Sequence, residues 1–160
     1  LKKALIGILP IIFLLVGCFS DPVKDDLLRY VNHEMNTAFE LEDTAISAYN
    51  NVSGVNYSDD ETMYAALVDD VIPNYNEFIK ELNYVSVETD ELSEIHEIYI
   101  EGADIQYNAF VKITMALEEQ DASIIEEANG MLDEAKRHLR NYRSKLNKLA
   151  DEHDVEWEKE

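Results

Sequence analysis

One cysteine, three prolines and five glycines are spread over 160 residues, and 13 basic side chains face 34 acidic ones. A single thiol allows no internal disulfide and no Cys-x-x-Cys motif, so the fold has to stand on its apolar core. So few Pro and Gly exclude a chain of many short strands and turns and point to long helices. The net charge of −21 excludes nucleic acid as a partner and opposes lying flat on an anionic bilayer, because both would repel the protein. The acidic excess reads as a solvated coat suited to cation-rich surroundings.

Motifs for chemistry are lacking too. The residues three positions before His33, His96, His138 and His153 are Tyr30, Ser93, Ala135 and Ala150, so no Glu-x-x-His pair places two metal ligands on one helical face. There is no His-x-x-x-His pair, no Gly-rich phosphate loop and no calcium-loop spacing. No histidine sits in a recognisable nucleophile motif. The expectation is a protein without catalytic activity, metal site or non-covalent cofactor.

What is present is helical periodicity. The first helix is expected over residues 22–52, capped by Ser20 or Asp21, with Pro22 in a first turn that needs no N–H there. Leu27, Val31, Met35, Ala38, Ala45 and Tyr49 fall on one face at about 100° per residue. Residues 53–57 read as a loop. Ser58 and Glu61 have capping-box spacing, and a second helix follows with Leu67, Val71, Tyr75, Phe78 and Leu82 on its buried face. Pro73 lies inside it, where the lost backbone bond predicts a bend; two shorter helices meeting at Pro73 are the other outcome. A third helix runs from near Thr89 to about Glu119, with acidic residues in its first turn. The fourth starts at Ser123, boxed by Glu126, and repeats Ile125, Leu132, Leu139 and Leu146 at heptad spacing. The fold predicted is all-α: an up-down-up-down four-helix bundle over residues 22–150, helix 2 bent at Pro73, about 40 Å long at 1.5 Å per residue. A three-helix core with helix 2 split and displaced is the second option. Residues 151–160 form an acidic C-terminal tail, in which Val155 and Trp157 offer one more docked turn.

Polar residues on buried faces mark the candidate site. Glu42 lies between Ala38 and Ala45, and Gln106 lies beside Gly102 and Ala103; counting turns puts both at mid-bundle. A buried carboxylate must be paired, hydrogen-bonded or protonated, so this layer serves either to fix helix register or to line a small pocket for a cation or polar ligand. His96 stands at the edge of the same stripe as a boundary histidine or a ligand. On helix 4, Lys136, Arg140 and Arg143 form a narrow basic stripe, for ion pairs with a neighbouring helix or for an anionic polymer or headgroup.

The start of the chain has its own pattern. Lys2 and Lys3 precede an apolar run at residues 4–16, broken only by Gly7 and Pro10, and shorter than the roughly 20 residues of a membrane span. The run ends in Leu15-Val16-Gly17-Cys18, which resembles the lipobox of bacterial lipoproteins. That resemblance covers residues 1–18. It implies a diacylglycerol on Cys18, removal of residues 1–17 as a signal peptide, a short tether at residues 18–21, and a place on the extracytoplasmic face of the cell membrane. Two acyl chains suffice for stable anchoring where one does not. The short tether and helical body look like small lipoproteins of Gram-positive bacteria, a likeness that brings no activity with it. The function expected is a non-catalytic binding or scaffold module at the bacterial surface, its partners the membrane and a surface or membrane protein. The alternative is a small-ligand or metal-binding bundle built on the mid-bundle polar layer.

Overall fold

A computed structural model describes residues 20–157, and all of their regular structure is helical. The cleavage signal and Cys18 lie outside the described residues. Helix α1 (Pro22–Arg29) starts at Asp21, whose carboxylate accepts the Val23 and Lys24 N–H groups at 3.1 Å, with Pro22 in the first turn. A π-helical turn (Tyr30–Glu34) follows, in which the Met35 N–H reaches the Tyr30 carbonyl at 3.0 Å, and α2 (Asn36–Asn50) continues the chain. Regular winding would have aligned Leu27, Val31 and Met35. The wider turn instead buries Leu27, Tyr30 and Met35 completely and leaves Val31 half-buried on the flank.

After a 3₁₀ turn (Gly54–Asn56), where Gly54 takes a left-handed φ of 57°, come α3 (Asp60–Ala66), a second π turn (Leu67–Val71) and α4 (Ile72–Tyr84). Pro73 sits in the first turn of α4. The wide turn opens the backbone ladder just ahead of the residue that cannot donate to it, so the interruption takes the form of two shorter helices. Helix α5 (Asp90–Glu119) and helix α6 (Ala122–Glu152) form a long hairpin through Gln120, left-handed at φ 53°, and Asp121.

This arrangement overturns the expected up-down-up-down four-helix bundle with helix 2 bent at Pro73. The described residues form α1 to α6, the first two expected helices are each divided by a π turn, and α6 packs along α5 while only grazing the others. The N-terminal division has no proline behind it; it accompanies the burial of both Tyr30 and Met35. Both expected capping boxes are corrected as well. Asp59 rather than Ser58 caps α3, accepting the Thr62 N–H at 2.8 Å, and Asp121 rather than Ser123 caps α6. A carboxylate at the positive end of a helix outcompetes a hydroxyl beside it.

The core centres on Tyr75, whose ring meets Phe78 and Phe110 edge-on at 5.0 and 5.2 Å. Helices α5 and α6 approach closely at Gly102, where a methyl group would stand 2.9 Å from the His138 Cβ. Asp26 on α1, only 2% exposed, ties the start of α5 in place: its Oδ2 accepts the N–H groups of Glu88 and Thr89 and the Thr89 hydroxyl at 2.8–2.9 Å, and its Oδ1 accepts from Arg29 at 2.6 Å. Burial alone would raise the Asp26 pKa, but the Arg29 and Thr89 hydrogen bonds outweigh it and hold the carboxyl below its ordinary 3.8. Past α6 the chain folds back. Asp154 takes a left-handed φ of 52°, Val155 is buried, His153 bonds Asp21 at 2.7 Å, and Lys24 donates to the Asp154 carbonyl at 2.6 Å. Among the described residues no helix is long and apolar enough to cross a membrane.

Two substitutions test this packing. Asp26→Ala strands two backbone N–H groups and is expected to lower unfolding stability by roughly 2–4 kcal/mol in urea at pH 7. Because the folded-state pKa is depressed, the difference from wild type persists above pH 3.8 and shrinks as the pH falls below it. Gly102→Ala sets a helix-propensity gain of about 1 kcal/mol against an overpacking cost of about 1–3 kcal/mol. The contact is with a Cβ close to backbone, so the cost wins and the midpoint falls.

Candidate functional site

The polar residue of α2 that interrupts its apolar stripe is Glu42, with Ala38 and Ala45 buried on either side. Half-buried itself, it accepts a hydrogen bond at Oε2 from the Tyr99 hydroxyl of α5. Burial pushes the Glu42 pKa up; the Tyr99 bond and the Arg143 charge pull it back part of the way. The Tyr99 ring stacks on Tyr142 of α6, centroids 4.5 Å apart and planes at 19°.

Behind that stack runs a buried line of hydrogen bonds. The Tyr142 and Tyr30 hydroxyls are 3.2 Å apart, Tyr30 is 2.9 Å from His96 Nδ1, and His96 Nε2 is 2.9 Å from the Leu82 carbonyl. A carbonyl only accepts, so Nε2 holds the imidazole proton, Tyr30 donates to Nδ1, and Tyr142 donates to Tyr30. His96 is 6% exposed, and burial lowers its pKa below the ordinary 6.5, keeping it neutral. Burial likewise pushes Tyr142 up to about 12. The whole line is therefore uncharged at neutral pH, and each donor in it has an acceptor.

In front of the stack a cleft of about 340 Å³ opens between α2 and α6. Its floor is Tyr99 and Tyr142. Val31 and Phe39 form one wall with Glu42, and Leu139 and Leu146 form the other with Arg143 and Asn147. Trp157 closes one end, 38% exposed, and its Nε1–H donates to Asn147 Oδ1 at 3.0 Å. The π turn is what points Val31 into the cleft while Tyr30 joins the buried line.

The sequence candidates fare differently. Glu42 lines the cleft. Gln106 is half-buried two turns further along α5 and is not part of it, because Glu42 lies level with Tyr99 and not with residues 103–106. His96 is buried with both ring nitrogens bonded inside the protein, so its position is that of a structural residue. The basic stripe divides: Lys136 pairs with Asp133 of its own helix at 3.5 Å, whereas Arg140 and Arg143 have no ion pair among the described residues, and only Arg143 reaches the cleft. Cys18 lies outside the described residues. Spacing does not mark Tyr99, Tyr142, Asn147 or Trp157 as site residues; the tyrosines look like core packing in the sequence, and Trp157 like a tail residue. Among the described residues no three His, Cys, Asp or Glu side chains converge to hold a metal, so the metal form of the alternative gains no ligand set.

Replacing His96 tests the neutral line. His96→Gln is expected to be less stable than wild type at pH 7 by about 1–3 kcal/mol, through weakened bonds to Tyr30 and the Leu82 carbonyl. The folded pKa is depressed, so only the unfolded chain takes a proton just below pH 6.5; wild-type stability falls as the pH drops through that window. Urea midpoints of the two proteins should converge between pH 7 and pH 5, and parallel curves would mean that His96 titrates alike in both states.

The cleft thus combines one half-buried carboxylate, one guanidinium without an ion pair among the described residues, and four aromatic rings. Comparison with protein-family models, with curated proteins and with solved structures finds no match, so the reading of this site rests on its own geometry.

Proposed function

We propose that this chain is a non-catalytic binding module at a bacterial cell surface, held to the membrane through diacylglycerol on Cys18, and that the cleft at Glu42 is where it takes a small ligand. The single observation behind the binding role is the cleft itself. Its volume falls in the range of small-molecule sites, and its lining is mostly apolar with a few polar groups facing one another. The one histidine of the network is turned inward with both nitrogens occupied, so it offers the cleft no free ring nitrogen. Support for the anchor is in the sequence: the positive start, the short apolar run and Leu15-Val16-Gly17-Cys18.

Trp157 is the chain's one tryptophan, so its fluorescence reports on the cleft without a label. A small-molecule extract of bacterial envelopes should shift that emission in the full chain held in detergent micelles, and Glu42→Ala should abolish the shift while the protein remains folded. A scaffold with no ligand would show altered stability in Glu42→Ala and no response to the extract. For the anchor, cells fed an alkyne fatty acid should label wild type and leave Cys18→Ala unlabelled; equal labelling of both removes the tether from the reading.

A further inference from the structure

The polar groups of the cleft are sorted by sign. On the α6 wall Arg143 and Asn147 are four residues apart and share a face. No carboxylate, Glu42 included, lies within 4.0 Å of the Arg143 guanidinium among the described residues, and its five N–H donors face solvent and cleft. Asn147 commits its Oδ1 to the Trp157 N–H, so the group it has left is the amide NH₂, again a donor. The α6 wall therefore offers donors and positive charge.

On the α2 wall the sign reverses. Glu42 has Oε2 committed to Tyr99, and its Oε1 is an acceptor without a partner among the described residues. Around it stand the Phe39 and Tyr99 rings, 6.5 Å apart, whose faces favour a cation. A ligand with only a negative charge would meet Glu42, and one with only a positive charge would meet Arg143. Between the two charged groups lie the apolar part of the α6 wall, Leu139 and Leu146, and the tyrosine floor, which demand an apolar body.

We propose that the cleft takes a small zwitterion with an apolar body, of the apolar amino acid or short peptide class, its carboxylate on Arg143 and Asn147 and its ammonium on Glu42. This rests on the reading of the cleft as a ligand site. One molecule of that kind satisfies both walls without leaving either charge unmatched. Its body replaces water over the floor, and about 340 Å³ accommodates one large side chain with its charged groups. Specificity follows from the same division: an analogue lacking either charge leaves one wall facing a group it cannot bond.

The test uses the full chain in detergent micelles, read by calorimetry and by Trp157 emission, with three probes of one shape: L-phenylalanine, phenethylamine and 3-phenylpropionate. L-phenylalanine should bind at least roughly tenfold more tightly than either single-charge probe, the worth of one charge-assisted hydrogen bond. Arg143→Gln should bring L-phenylalanine down to the level of phenethylamine, and Glu42→Gln to the level of 3-phenylpropionate. If a single-charge probe binds as tightly as L-phenylalanine, the zwitterion class is wrong and the cleft remains a ligand site. Silence with all three probes in a protein whose Trp157 responds to envelope extract likewise overturns the zwitterion class and keeps the ligand site, and silence with the extract as well removes both.

Discussion

Everything in this fold depends on the buried line from Tyr142 through Tyr30 and His96 to the Leu82 carbonyl. It touches α6, the first π turn, α5 and α4 in turn, and it is the only polar path among the described residues that joins all four. Apolar side chains would have packed these helices at many rotations with little difference in energy. Hydroxyls and an imidazole removed from water tolerate one arrangement, because each unmade bond costs about 1–3 kcal/mol. The direction of donation fixes more than geometry. Since the chain ends on a carbonyl, every proton in it is assigned, and a charge entering at His96 would disturb the donor order back to Tyr142.

That line also explains why the cleft lies where it does. Tyr142 reaches the Tyr30 hydroxyl while its ring lies against Tyr99, and the stacked pair forms the floor of the space between α2 and α6. The space is left because the helices are held by polar contacts below it. Asp26 does a similar service from α1, accepting the N–H groups of Glu88 and Thr89 and the Thr89 hydroxyl just ahead of α5, whose N-cap residue makes no side-chain cap bond of its own.

How much of this is legible in the sequence varies residue by residue. The limits of α5 follow from Thr89 and the acids after it, and the all-α class from the scarcity of Pro and Gly. Glu42 is conspicuous as a carboxylate between two alanines that have to be buried. Its partner is not, because Tyr99 sits at a position where any large apolar residue would serve, and the hydroxyl's role appears only when α2 is placed beside α5. The π turns are hidden for a related reason: Val31 fits the 3.6-residue rhythm and Tyr30 does not, and nothing local reveals that His96, 66 residues away, needs the Tyr30 hydroxyl. Asp26 resembles any solvated acid on a charged helix until the chain brings residues 88 and 89 to it. The four-helix expectation failed at these points, where distant polar partners override local periodicity.

The clasp between the two ends of the described chain has a mechanical meaning. Asp21 is at once the cap of α1 and the partner of His153, and Lys24 holds the Asp154 carbonyl one turn further in. A load applied at Ser20 therefore does not simply peel α1 from its neighbours. It is shared at once with the C-terminal contacts, across His153, Asp154 and the buried Val155, and through them with the segment bearing Trp157. The contacts that hold the start of α1 are thus also those that hold the segment closing one end of the cleft.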